Sequence, residues 1–186
     1  MLAHVITPPG PLISLDEAKR HLRVDGSDDD DYITALIAAA QGNIDGPAGW
    51  LGRCLGVQTL EVRGWDFSFC DRLPYPPVID VLSVVYVDPT GAEQTLPASE
   101  YQISVGGFLE PFYGISWPQA RYERDAVRVR YRAGYEEIPA PIKHAVLLMV
   151  SHWFNNRDAV TTTAAQPATL PLGVDALLAP YRVGAV

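Results

Sequence analysis

Three things are scarce in this 186-residue sequence: cysteine, base relative to acid, and uninterrupted apolar sequence. Cys54 and Cys70 are the only cysteines and lack any metal-like spacing, so they read as reduced structural thiols of an intracellular chain. The longest apolar run, from Ala145 to Val150, falls well short of the roughly 18–20 residues a membrane span needs. The start, Met1-Leu2-Ala3-His4-Val5-Ile6-Thr7-Pro8-Pro9, has neither a basic n-region nor a long h-region, which excludes a signal peptide there. With 14 bases against 22 acids the net charge is −8 and the pI near 4.8. That argues against a surface built to grip phosphate, where affinity comes from clustered Lys and Arg. It suits a protein that sits close to DNA without adhering to it.

Chemistry is missing too. No G-x-S-x-G elbow, Walker loop or G-x-G-x-x-G occurs, and Gly106-Gly107 reads as a turn. The acidic run Asp25-Gly26-Ser27-Asp28-Asp29-Asp30-Asp31 fails as a calcium loop: its sixth position is Asp30 and its twelfth Leu36, where Gly and a bidentate Glu are required. It reads instead as a helix cap with first-turn acids. His144 and His152 lie eight apart, about 80° off one face, and lack the i, i+4 spacing of a helical metal pair. His4 and His21 have no partner in sequence. No cofactor, metal site or catalytic set is therefore expected.

What is present centres on one stretch, Pro141 to Arg157. Pro139 and Pro141 suit the approach and first turn of a helix. Ile142, Ala145, Val146, Met149, Val150, Trp153 and Phe154 then recur at the spacing of one helical face, with Leu147 and Leu148 widening it. Such a helix must be covered on two sides. Ile142, Val146, Met149 and Trp153 are its expected core.

Around it the period changes twice. Ser14-Leu15-Asp16-Glu17 is a capping box opening a short helix to about Arg23. The acid-capped helix that follows carries Tyr32, Ile33, Leu36, Ile37, Ala40 and Ile44, and ends near Gly46-Pro47; a shorter helical segment or turn spans Ala48 to Leu55. The first thirteen residues read as an arm. From Val57 to Tyr135 the period is two, with Trp65, Phe67 and Phe69 continuing the phase of residues 58–62. Val78 to Val87 reads as a buried strand, and Asp88-Pro89-Thr90-Gly91 as a hairpin turn. The aromatics Trp65, Phe67, Phe69, Phe112, Tyr113 and Trp117 read as the core of a small sheet. Arg128, Arg130 and Arg132 share one strand face; the sequence allows either a nucleic-acid stripe or, more in keeping with the net charge, a solvated face paired to acids. After residue 160 a polar connector leads to the apolar segment Leu170 to Arg182, too short to be a stable helix alone.

The expected fold is α+β: a small helical bundle from N- and C-terminal helices with an inserted antiparallel β-domain. Its blocks are residues 1–56 (helices), 57–135 (β-region), 136–160 (core helix) and 161–186 (linker and anchor).

The ordered set of these segments resembles the phage head–tail connector (adaptor) family, including the adaptors of gene transfer agents. The resemblance rests on Ser14 to Arg23, the helix from Asp28 to Gln41, and Leu73-Pro74-Tyr75-Pro76-Pro77-Val78 leading into Val81 to Tyr86. It continues through Asp88 to Gly91 ahead of Tyr101, Val129 to Tyr135, Ile138-Pro139, Ile142 to Ala145, His152 to Arg157, and Leu170 to Arg182. It covers most of the chain and departs at Gly42 to Gly52, where glycines and Pro47 interrupt a helix the family continues. It implies a structural, non-enzymatic subunit of a ring beneath the portal protein, extending the DNA channel and docking the tail. The ring would be dodecameric when assembled and its free subunit monomeric, with a tail-side neck protein as further partner and DNA passing without specific binding. It would reside in the particle neck, and in host cytoplasm before assembly, with no membrane partner. Runner-up roles are a neck stopper or tail-completion protein, or a nucleic-acid-binding module using Arg128, Arg130 and Arg132. Leu170, Leu172, Leu177, Leu178, Tyr181 and Arg182 are the expected portal or subunit interface, and deleting Leu170 to Val186 is expected to cost assembly more than folding.

Overall fold

A computed structural model describes residues 3–157 and 172–183. The chain divides into two compact units, residues 1–9 with 57–135 and residues 10–56 with 136–186.

In the helical unit, α1 (Leu15–Leu22) opens as its capping box dictates, with Ser14 Oγ accepting from the Glu17 N–H at 3.2 Å. It stops at Arg23, which takes the left-handed conformation at φ 60°. The next helix, α2 (Asp30–Ile44), runs through Gly42 and ends two residues before the Gly46-Pro47 pair. Its N-cap, Asp29, makes no capping bond; Asp29 instead accepts from Arg157 at 3.1 Å, and Asp30 holds Lys19 at 2.5 Å. Asp30 and Asp31 occupy the first turn as expected, and Asp29 and Asp30 serve in addition as tertiary ties. Residues 46–56 form turns with no helix, so of the two readings open for Ala48 to Leu55 the turn holds.

The apolar stretch from Pro141 folds as α3 (Ala140–Asn155), entered through Pro139 and Pro141. Its cover comes from α2 on one side and, on another, from α4 (Leu172–Leu178), with α1 also in contact. Ile142, Val146 and Met149 are fully buried, as are Val174 and Leu178 from α4. Trp153, expected in the core, is only half-buried, because it lies in the last turn, where the apolar stripe has outrun its cover. At that end Arg157 sits over the Tyr32 and Phe154 rings, 4.6 and 5.4 Å from their centroids, closing the turn with a cation–π contact.

The other unit is a five-stranded antiparallel sheet in the order β1-β2-β7-β3-β4, with a separate two-stranded ribbon of β5 and β6. The strands are β1 (Ala3–Thr7), β2 (Gln58–Gly64), β3 (Val78–Val87), β4 (Glu93–Leu96), β5 (Tyr101–Ile103), β6 (Leu109–Pro111) and β7 (Val127–Ala133). The block 1–56 is therefore not purely helical. Ala3–Thr7, read as part of an arm, forms an edge strand against β2, since Val5 falls in register with Leu60 and extends the apolar face. The period-two phase does not carry through Phe69 either: β2 stops at Gly64, Asp66 caps a 3-10 turn over Phe67–Cys70, and Phe69 lies against Gly64. A Cβ on Gly64 would meet that ring at 2.0 Å, so the close approach requires glycine.

Alternation in β7 is strict: Val127, Val129, Tyr131 and Ala133 are buried, while the arginines between them face the other way. Tyr131, fully buried, satisfies its hydroxyl by donating to the Pro74 carbonyl at 2.7 Å. β3 is less buried than its composition predicts. Register shifts at Val78/Asp80 and Val81/Ser83 break its alternation, leaving Leu82 49% accessible and Val84 alone fully buried. The Asp88 turn joins β3 to β4 as expected, Asp88 Oδ1 accepting from the N–H groups of Thr90 and Ala92.

Candidate functional site

The polar face of the sheet carries a set of cross-strand ion pairs. Register sets Glu61 of β2 opposite Arg130 of β7, and Asp80 of β3 opposite Arg132. Arg130 donates to Glu61 Oε2 through both Nε at 3.1 Å and Nη2 at 2.7 Å, whereas Arg132 forks across the two oxygens of Asp80, Nε to Oδ1 at 2.8 Å and Nη2 to Oδ2 at 2.6 Å. Arg128 pairs with Glu93 at the head of β4, and Arg63 donates to Glu61 Oε1 at 2.8 Å. Arg128, Arg130 and Arg132 therefore each already hold a carboxylate. A phosphate would have to displace these carboxylates in a chain of net charge −8, so this face is a cross-strand ionic ladder.

Glu61 is the residue that sequence reasoning missed. It alternates with Leu60 and Val62 on a strand and looks solvent-facing, yet it is 4% accessible. Burial opposes its ionisation, but the guanidiniums of Arg130 and Arg63 outweigh that and hold its pKa below the ordinary 4.5. Asp80 is held low by Arg132, and Asp88 falls to about 2 because Thr90, Gln94 and the Ala92 N–H all donate to it. Carboxylates depressed in the fold contribute stability that is complete above their unfolded pKa values and lost as pH falls through the folded ones. Thermal stability should thus hold down to about pH 4.5 and decline from there toward pH 2. Glu61→Gln should be less stable than the parent at neutral pH, with the gap closing as pH drops below 4.5; a gap that stays constant would refute the ladder's role.

The expected C-terminal interface residues divide. Leu178 is fully buried in its own helical unit, Leu177 and Tyr181 are partly buried, and Arg182 is exposed with its guanidinium 5.6 Å from the Trp50 ring. Leu172 begins α4, and Leu170 lies outside the described residues. The segment is pinned by Arg53 Nε donating to the Tyr181 carbonyl at 2.8 Å and the Val183 N–H donating to Leu51 O at 2.9 Å. Leu178 is thus an intramolecular anchor.

Apolar exposure lies elsewhere. Of the aromatics expected in the sheet core, Phe67 is buried and stacks on Trp117 at 4.9 Å, whereas Trp65 is 48% and Tyr113 105% accessible. Trp65 and Tyr122 contact each other at the surface, 5.4 Å between centroids. Tyr113 sits in a loop beside glycine, where no strand register existed to assign it a face.

Nothing among the described residues gathers three metal-ligating side chains, and His21 and His144 meet only edge to face at 6.2 Å. Cys54 is buried, and that burial, followed by the charge of Asp45, pushes its thiol far above the reactive range. No described helix is long and apolar enough to cross a membrane.

A family model described as head completion protein matches residues 11–183. Among solved structures, the chain is similar to one in a virion of a native gene transfer agent particle, at 22% identity and a TM-score of 0.72. It is likewise similar to chains in the neck of an empty gene transfer agent particle computed with C6 symmetry (22%, TM-score 0.70) and of a native one computed with C12 symmetry (23%, TM-score 0.68). Each of the three alignments covers 100% of this chain and 97% of the other. At such identities the likeness establishes the fold. No curated protein matches the chain in sequence.

Proposed function

Because this chain belongs to the head completion protein family, we propose that it assembles into a ring in the particle neck, beneath the portal protein, and joins the head to the tail. It is a structural head–tail connector, and the observation that carries this is the family match running through both units, from residue 11 to residue 183. The proposed partners are further copies of itself, twelve to a ring, with the portal on one side and a tail-side neck protein on the other. The free chain is a monomer before it meets the portal. DNA passes through the lumen without specific contact, consistent with a net charge of −8 and with arginines already bound to carboxylates. The role needs no cofactor and no catalytic step.

Particles made without this chain should accumulate as DNA-containing heads and free tails in separate fractions, and adding the purified protein should restore joined particles. Joined, DNA-retaining particles in its absence would overturn the proposal, as would necks in which imaging finds no ring of this chain.

A further inference from the structure

Every large apolar side chain that is exposed among the described residues belongs to the sheet unit. Two groups of them lie at opposite ends of its strands. The first is a knob. Ser104 to Gly107 turn β5 into β6, the Gly107 N–H donating to Ser104 O and the Ser104 N–H to Phe108 O, both at 2.9 Å. Val105 stands at the tip, 109% accessible, with Phe108 half-exposed beside it. The Phe108 ring lies so close over Gly106 that a Cβ there would meet it at 2.6 Å, which holds the tip in shape before any partner arrives. A Cβ on Gly107 would lie 3.4 Å from Val78, so the turn backs onto the start of β3. Val78 is level with Ala133 of β7 and, through it, with Gln58 of β2.

The second is a hollow of about 460 Å³, lined by Arg63, Gly64, Trp65, Asp66, Phe69 and Tyr122. That volume is in the range of sites that seat a ligand. Trp65 leaves β2 directly after Gly64, which is level with Val127 and Tyr86, and the Arg121 N–H ties the Tyr122 side to Val87 O at 2.8 Å. Six residues of β2 carry the chain from Gln58 to Gly64, so about 20 Å of strand separates hollow from knob. Trp, Tyr and Arg are the side chains that carry most of the binding energy where proteins meet.

Charge matches as well. Arg72, whose guanidinium lies 5.7 Å over the Phe108 ring beside the knob, holds no carboxylate among the described residues. Asp66, at the hollow, accepts only from Ser68. Knob and hollow thus bring an unpaired base and an available acid, and both belong to one chain, so the occupant that fits is a second copy. A patch at one end of a unit that fits a different patch at the other end makes a heterologous contact, the kind that closes into a ring.

We propose that the Val105 tip of one subunit seats in the Trp65–Tyr122 hollow of the next, always in the same direction, so that this contact passes from copy to copy around the ring. The inference rests on the ring of the preceding section. Burial of the apolar tip against the two aromatic rings gives the contact its affinity, and Arg72 with Asp66 fixes its direction.

Cross-linking in assembled necks tests it. With the photoreactive residue p-benzoylphenylalanine in place of Val105, illumination should give a ladder of linked multimers joined through peptides that contain Trp65 or Tyr122. Val105 and Tyr122, the latter 79% accessible, are both free of the subunit's own core. Val105→Asp and Tyr122→Ala should therefore leave the melting temperature of the free subunit unchanged, and each should lower the yield of joined particles about tenfold or more. Undiminished yields would overturn the contact. So would rings in which illumination links nothing to those peptides, or links Val105 to another neck protein, while the connector role stays intact. Links that stop at dimers would overturn it in favour of a reciprocal twofold contact. If imaging finds no ring of this chain on necks, both proposals fall together.

Discussion

Replacing Asp45 with alanine should destabilise the helical unit by about 3–5 kcal/mol, as expected when a buried carboxylate that satisfies several donors is removed. Asp45 caps the end of α2 and is 7% accessible. It accepts from the Leu55 N–H at 2.7 Å, the Gly56 N–H at 3.5 Å and Gln41 Nε2 at 3.3 Å. Gln41 in turn accepts from the Leu12 N–H and donates to Gly10 O, both at 3.0 Å. One carboxylate thus organises the turns of residues 46–56 and, through Gln41, the chain entering α1. Alanine would leave the Leu55 and Gly56 amides buried without this acceptor. Asn, which keeps one oxygen, should cost less than half as much. Urea denaturation of the two variants decides it, and an unchanged midpoint for Asp45→Ala would mean the turns hold themselves. Gly49 in the same turns has no alternative: a Cβ there would meet the Ile44 carbonyl carbon at 2.3 Å.

Removing residues 170–186 should unfold the helical unit instead of merely preventing assembly. Val174 and Leu178 are both fully buried, and truncating buried side chains of this kind costs about 2–5 kcal/mol for a Leu alone. The deletion also removes the pins from Arg53 to Tyr181 and from Val183 to Leu51, and strips the second side of α3. A total above about 4 kcal/mol is a large part of the 5–15 kcal/mol that holds a typical domain together. Circular dichroism should show the helical transition broadened and shifted down by tens of degrees. Leu178→Ala, a milder change, should retain the fold with a lower melting temperature. A truncated protein that melts like the parent would show that α4 contributes nothing to the folding of its own unit. Sequence alone suggests that this segment serves assembly before folding; the burial of Val174 and Leu178 argues for folding first, since a short apolar helix needs a groove and α3 supplies one within the chain.

Periodicity by itself determined most of the architecture. The 3.6-residue stripe of Ile142 to Met149, the capping box at Ser14 and the alternation of β7 are local signals, set by which side chains share a face. They placed α1, α2, α3 and the inserted antiparallel region, and their order carried the resemblance to connectors. Tertiary structure decided what local pattern cannot encode. Val5 belongs to a strand only because Leu60, more than fifty residues on, offers a matching register. Glu61 is buried because Arg130, 69 residues on, arrives beside the local Arg63 to neutralise it. Leu178 faces its own core, and Trp153 loses its cover where α3 outruns its neighbours. In each case the deciding energy is a contact between residues distant in sequence, and composition and spacing carry no record of which distant partner will arrive.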